Sequence, residues 1–283
     1  MGNTYTNYNV TTFNDIDLEL FLLTEILKLK SLHYGYFKKG EKANPQTFPL
    51  AQRKYTKTLL RWIPKGVKTI LDVGAGIGDN AQALADKGYH VTAVTPDKNH
   101  KKFYDAIKNK KITFVNSTFE SFWADKKFDL ILMSESQNYF DTDIGFQQCV
   151  KNLHDKGYLF VSGKFRKKKN GAFNNVTNLE KEYKQKAKDY GFSLLKEKDI
   201  TQNVLPTLEF IDTIHREYAL PGMQMIDTYI KKHSPLKVKI MKFIFRKQIK
   251  EFDFLYNYFK EHFDPDHFKD NLRYLRLLFQ YRK

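Results

Sequence analysis

Three glycines at alternate positions behind an acid are the residues of this chain best suited to cradle a ligand. The run reads Thr69-Ile70-Leu71-Asp72-Val73-Gly74-Ala75-Gly76-Ile77-Gly78-Asp79-Asn80. An apolar strand that enters glycines and then a helix permits a tight turn and a close approach of backbone to ligand, because no Cβ stands in the way. The spacing is G-x-G-x-G, distinct from the G-x-G-x-x-G of dinucleotide binders and the G-x-x-x-x-G-K-[ST] of phosphate loops. Such a spacing is also found in plain turns, so the surrounding elements must decide. Cys149 is the single cysteine. It leaves no internal disulfide framework and no cysteine-based zinc site, it fits a reducing cytoplasm, and no metal site is expected.

The elements around the loop follow a regular rhythm. Short apolar runs at 68–73, 89–95, 112–116, 128–133 and 158–162 alternate with amphipathic stretches at 79–87, 97–109, 142–154 and 178–190. Buried parallel strands joined by crossover helices predict an α/β doubly wound sheet. Upstream, 13–30 and 45–63 show helical spacing, through Phe13, Ile16, Leu20, Leu23 and Leu27, then Leu50, Tyr55, Leu59 and Leu60. Downstream, 192–201 and 273–282 read as two more strands, with proline-punctuated helices between them. The expected organisation is a helical cap over 1–64, a core over 65–203, a helical lid over 204–271 and a final core strand at 272–283. The basic run from Lys164 to Lys169 follows the fifth apolar stretch and reads as a solvated loop.

With 283 residues, 41% of them hydrophobic, the chain can bury a sizeable core. Its 48 Lys and Arg against 32 Asp and Glu give +16. Only eight of those basic residues are arginines, so drift toward lysine explains the charge as well as an anionic partner does. Nucleic acid is therefore the less favoured partner. No stretch approaches the roughly 18 apolar residues of a membrane span, and the polar start lacks the layout of a signal peptide, so a cytoplasmic protein is expected.

In this strand-loop-helix setting the glycine run resembles motif I of the class I S-adenosylmethionine-dependent methyltransferases. The resemblance covers about 68–201 and the last strand. It implies a seven-stranded sheet in order 3-2-1-4-5-7-6 and S-adenosyl-L-methionine as cofactor. Gly74, Ala75, Gly76 and Gly78 would pack beneath the amino-acid part of that cofactor and Asp72 would hold the same end, although an aspartate there can also cap the turn.

Three further segments are similar to the cyclopropane fatty acid synthases and their small-molecule relatives. Val91-Thr92-Ala93-Val94-Thr95-Pro96-Asp97-Lys98-Asn99-His100 resembles their V-T-G-V-T-x-S-x-x-Q stretch, which implies Thr95 and His100 beside the ribose, with His in place of Gln. A solvent-facing His100 is the other reading, and Asp97 is the natural N-cap of the helix that follows. His33-Tyr34-Gly35-Tyr36-Phe37 resembles an H-x-G-Y-[WF] segment that folds over the cofactor, which implies Tyr34 and Tyr36 as contacts; an aromatic packing corner is the alternative. Asn116-Ser117-Thr118-Phe119-Glu120 matches the adenine site, with Thr118 standing where an aspartate is common.

The residues after strand four face the transferable methyl in that family, and here they are Ser134-Glu135-Ser136-Gln137-Asn138-Tyr139-Phe140. The [DNS]-P-P-[YFW] motif of amino-base methyltransferases is absent, and Cys149 lies away from this loop, which sets aside base methylation of either kind. The loop looks like the S-E-S-x-Q-Y form of bacterial small-molecule methyltransferases, and Ser134 joins the cofactor set. Methyl transfer needs alignment, exclusion of water and, for hydroxyl or carbon acceptors, a base. Glu135, His33 and Tyr139 are the candidates, Glu135 first; a glutamate that only shapes the loop fits equally.

Residues 231–250 carry eight Lys or Arg and no acid, interleaved with Leu236, Val238, Ile240, Met241, Phe243, Ile244, Phe245 and Ile249. Such a stretch can lie on anionic lipid, cover an apolar substrate, or form an ordinary lid helix with a lysine-rich face. The expected activity is methyl transfer to a small, hydrophobic or extended metabolite through O, N or C, with peripheral membrane contact as an option. Methylene transfer to a lipid alkene and RNA binding, catalytic or not, are the alternatives. The acceptor atom and the oligomeric state are left open.

Overall fold

The computed structural model describes residues 20, 24–25, 27–169, 177–247, 249–250 and 263–283. Seven strands form one mixed sheet in order β3-β2-β1-β4-β5-β7-β6, as expected. They are β1 (Thr69–Val73), β2 (His90–Thr95), β3 (Ile112–Asn116), β4 (Phe128–Ser134), β5 (Leu153–Arg166), β6 (Phe192–Asp199) and β7 (Leu272–Tyr281). The first five pair in parallel, and β7 runs antiparallel between β5 and β6. Strands β1 and β4 are buried along nearly their whole length, which is why they read as unbroken apolar runs. At the edge, β6 buries only Phe192 and presents charged side chains, which blunts pairing with another chain.

Helices cover both faces. On one lie α1 (Thr47–Leu60), α2 (Asp79–Asp86), α3 (Lys101–Ala106) and α6 (Thr201–Ile214), packing Tyr55, Leu84, Tyr104 and Leu208 against Ile70 and Leu130. On the other lie α4 (Thr142–Asn152) and α5 (Glu180–Asp189), which press Phe146, Cys149 and Tyr183 onto Leu71 and Ile131. Between β6 and β7 the chain continues from α6 through a π turn (His215–Ala219) to α7 (Leu220–His233), α8 (Pro235–Ile244) and α9 (Pro265–Asn271). Among the described residues no helix is long and apolar enough to cross a membrane.

Several sequence expectations are corrected. The helix expected over 13–30 lies mostly outside the described residues, and at its end the chain is irregular, with Lys28 at φ 52°. Strand β5 is longer than its apolar run, because pairing with β7 continues from Tyr158 to Arg166. That extension takes in half of the basic run. Phe165 is fully buried, and Arg166 donates to the carbonyls of Thr177, Lys168 and Lys169, so only Lys167 to Lys169 remain as exposed loop. The helix expected over 97–109 opens instead with a 3-10 turn, Lys98–His100, capped by Asp97, whose carboxylate accepts from the Asn99 amide at 2.8 Å.

Candidate active site

The glycine loop leaves the C-terminal end of β1 with Gly74, Gly76 and Gly78 all in the left-handed region, at φ 68°, 54° and 90°. Only glycine takes these values without strain. The three positions differ in what surrounds them. A Cβ on Gly74 would collide with Ser136, and one on Gly78 would come within 3.0 Å of Tyr104 and Ile107. Among the described residues a Cβ on Gly76 would meet only Leu32, at an ordinary 3.5 Å. The first and last glycines therefore serve packing, whereas Gly76 faces space among the described residues.

Next to this loop Asp72 is 1% exposed, and among the described residues its Oδ2 has no hydrogen-bond partner. Burial pushes its carboxyl up to about 8, with the neighbouring Asp79 adding to the rise and His33 opposing it. A buried carboxylate without a cation is costly, so in the cofactor-free chain this carboxyl favours its neutral form.

The ends of β2 and β3 join the same edge. The amides of Gly74 and Ala75 both donate to Val94 O, at 2.8 and 3.1 Å. Thr95 O accepts from Asn116 Nδ2 at 2.9 Å and Ser117 N at 3.1 Å, which draws the start of the loop with Thr118 and Phe119 beside Thr95. Phe119 is buried against Phe140 with ring centroids 5.2 Å apart, while Thr118 is exposed and its hydroxyl accepts from the Ser121 amide. His100 Nδ1 lies 3.0 Å from Thr95 Oγ1, and its Nε2 lies 3.4 Å from Asp97. Both ring nitrogens thus face protein groups, a use that neither sequence reading of His100 contained.

On the other side of the loop stands Glu135, a non-glycine residue at φ 66°. Residues held there cost on the order of 1–3 kcal/mol and concentrate at functional sites. Its Oε1 accepts from the Tyr34 amide at 3.1 Å and from the Tyr274 hydroxyl at 2.5 Å. Because that hydroxyl has one proton, the 2.8 Å bond between the two phenols must run from Tyr55 to Tyr274. The 2.7 Å bond beyond it must then run from Ser162 to Tyr55. Burial, reinforced by the Glu135 charge, raises both phenols, which keeps them protonated as donors.

A methyltransferase-domain model matches residues 71–161, spanning the glycine loop, Glu135 and most of β5. The ubiquinone biosynthesis O-methyltransferase of Rickettsia akari is 28% identical over 155 residues, covering 51% of this chain and 61% of that protein. The alignment thus spans about three fifths of the relative's length. Two solved structures share the fold across almost the whole chain. A protein from Galdieria sulphuraria described as a sarcosine dimethylglycine methyltransferase has a TM-score of 0.68 at 16% identity, covering 92% of this chain and 97% of that one. The geranyl diphosphate C-methyltransferase of Streptomyces coelicolor A3(2), solved with Mg2+, geranyl diphosphate and S-adenosyl-L-homocysteine, has a TM-score of 0.64 at 13% identity, covering 92% of each chain.

Residues 71–161 carry a methyltransferase domain. Its cofactor is S-adenosylmethionine, and the residues present fit that group: an orphaned acid beside an open glycine at the C-terminal edge of a parallel sheet. Around this domain Tyr34 is buried with its ring 5.7 Å from that of Tyr274, Tyr36 lies under Lys54 and Arg276, and Ser134 Oγ is 3.3 Å from the Tyr55 hydroxyl. Tyr139 is 67% exposed. Cys149 is fully buried in α4 with its thiol pushed up by burial, so it offers no nucleophile.

His33 packs inward from the 31–37 segment onto α1, within electrostatic reach of Glu135. It is 7% exposed and stacks on Tyr55 at 4.4 Å. Nδ1 must donate to the Tyr34 carbonyl, 2.8 Å away. Nε2 is 3.0 Å from Thr56 Oγ1, whose own proton goes to Asn80 Oδ1, and 2.8 Å from Asp79 Oδ2, off the line of a hydrogen bond. That arrangement suits a doubly protonated ring beside Asp79. Burial is the largest influence and pulls its pKa down, but Asp79, Glu135 and the Tyr34 carbonyl together outweigh that and the net shift is upward.

Sequence reasoning missed three groups. Tyr55 and Tyr274 lie 219 positions apart, and nothing local marks them as partners. Ser136 donates to Val73 O at 2.5 Å, while Gln137 and Asn138 both donate to Lys164 O, which ties the loop after β4 to β1 and β5. The polar run Ser136-Gln137-Asn138 was the available signal for that third group.

Proposed function

We propose that the protein transfers a methyl group from S-adenosylmethionine to a small, apolar or extended acceptor, with Glu135 orienting or deprotonating it. The observation that carries this reading is the pairing, among the described residues, of the buried, partnerless Asp72 oxygen with the open Gly76. The bound cofactor supplies an electrophilic methyl on a sulfonium. For its part the chain supplies alignment. Gly76 lets the backbone approach, Asp72 offers a carboxylate to a cationic group, and Thr95, His100, Thr118 and Phe119 continue the same edge. Tyr34 and Tyr36 lie on the segment that Glu135 clasps from the opposite side.

Oε1 of Glu135 already takes two donors, so we assign Oε2 to the acceptor. A carboxylate in that place is most useful to a hydroxyl or carbon acceptor, because an amine can arrive already neutral. The O-methyltransferase of ubiquinone biosynthesis and the geranyl diphosphate C-methyltransferase support a small-molecule acceptor. A greasy acceptor partitions into lipid, which favours contact with a membrane surface.

Glu135→Gln tests the assignment, since an amide oxygen can still accept from Tyr34 and Tyr274. S-adenosylhomocysteine release is followed with phenols, prenyl diphosphates and amines as acceptors. Cofactor affinity should stay within a few fold while kcat falls by roughly 10²–10⁴. An unchanged kcat at saturating acceptor would make Glu135 a clasp alone. No turnover with any acceptor class, together with no binding of S-adenosylhomocysteine, would overturn the methyl-transfer reading itself.

A further inference from the structure

Helix α6 is rooted in the core through Val204, Leu205 and Leu208, but beyond it the character of the chain changes. No described side chain from His215 to Lys250 is buried. On α8, Leu236, Ile240, Phe243 and Ile244 recur at helical spacing and are 70%, 51%, 72% and 62% exposed. On α7, Met223, Ile226 and Ile230 do the same at 39%, 57% and 43%. Single exposed apolar residues are normal, whereas a contiguous stripe of this size marks an interaction surface.

The charge says what kind of surface. Exposed Lys232, Lys237, Lys242, Arg246 and Lys250 flank the stripe, and 231–250 contains no acid. A protein partner would have to supply matching acids around an apolar centre. An anionic bilayer offers both at once, with negative headgroups above acyl chains. At ten residues α8 is about 15 Å long, half the hydrocarbon thickness, so it can lie along a membrane but not cross it. We propose that α7 and α8 dock this protein onto anionic membrane, with the α8 stripe inserted at headgroup depth. The docking does not depend on the methyl-transfer reading.

The full chain would be sedimented with phosphatidylcholine vesicles and with vesicles containing phosphatidylglycerol, at 0.1 and 0.5 M salt. Binding is expected only with phosphatidylglycerol and should weaken at high salt, as screening shortens the electrostatic reach. Lys237→Gln, Lys242→Gln and Lys250→Gln combined should weaken it roughly 100-fold, about fivefold per charge. Leu236→Ser, Ile240→Ser and Phe243→Ser combined should abolish it, with S-adenosylhomocysteine affinity unchanged as the check that the core is folded. Failure to sediment with phosphatidylglycerol would overturn the proposal. So would equal binding by the serine variant, or a lipid-free dimer that this variant abolishes, which would assign the stripe to a second copy of the chain.

Discussion

The two sides of the site are built on different principles. On the cofactor side, a few residues close in sequence set the backbone: three left-handed glycines and one acid within seven positions. On the proposed acceptor side, Ser162, Tyr55 and Tyr274 from three separate stretches form one directional chain of hydrogen bonds ending on Glu135, which also accepts from the Tyr34 amide. Backbone conformation leaves a local signature in sequence because only glycine relieves it. A side-chain network leaves none, since any tyrosine can be a core residue. One side should therefore respond to single substitutions at the loop, and the other to changes spread over the chain.

The largest effects should come from splitting the glycines. Gly74→Ala drives a Cβ into Ser136, in the loop that both sides share, and should cost several kcal/mol of stability or prevent folding. Gly76→Ala meets no collision and carries only left-handed strain, about 1–2 kcal/mol. It should fold, with a melting temperature a few degrees lower, yet lose most affinity for S-adenosylhomocysteine in calorimetry. Equal stability losses in the two variants would erase the distinction drawn between a packing glycine and a ligand-facing one.

That asymmetry explains what was legible in the sequence. The strand order, the crossover helices and the glycine loop were readable because burial on both faces writes continuous apolar runs and the loop needs glycine. Strand β5 was read too short because its extension rests on β7, more than a hundred residues away, and Lys164 and Arg166 look like solvent-facing residues without that partner. His33 was read as a candidate base, since no sequence pattern predicts Asp79 as its counter-ion. Glu135 was located correctly after β4, but its bonds to Tyr34 and Tyr274 depend on an N-terminal segment and a C-terminal strand that meet only in the fold.

A smaller effect should appear on the cofactor side as a proton. With its carboxyl pushed up to about 8, Asp72 is mostly protonated at pH 7 in the cofactor-free protein. A cationic group placed against Oδ2 favours the ionised form and expels that proton. Binding at pH 7 should release close to one proton, read as different heats in Tris and phosphate buffers, and affinity should rise up to tenfold per pH unit until about pH 8. Asp72→Asn should abolish both effects. Identical heats in the two buffers would leave Asp72 a structural residue.

The smallest effect belongs to the acceptor side, where the His33–Asp79 pair pins the Tyr34 segment to the start of α2. The folded pKa of His33 lies above its ordinary value, so its contribution is fully present below about pH 6.5 and is lost as pH rises through the higher folded value. Asp79 is shifted the other way: burial raises its carboxyl, but His33 and nearby donors pull it below its ordinary value. Its contribution is present above about pH 4 and is lost as pH falls through the lower folded value. The pair should therefore help most between these limits. Asp72 obscures the comparison, because its raised pKa makes folding less favourable as pH climbs toward about 8. The measurement is cleanest in an Asp72→Asn background. There, His33→Gln should lower the melting temperature most near pH 6, by a few degrees for a loss of about 1–3 kcal/mol, and by progressively less toward pH 9. A penalty that stays constant from pH 6 to pH 9 would mean that His33 acts through packing on Tyr55, not through its charge, and the clasp would then resemble the glycine side in depending on shape alone.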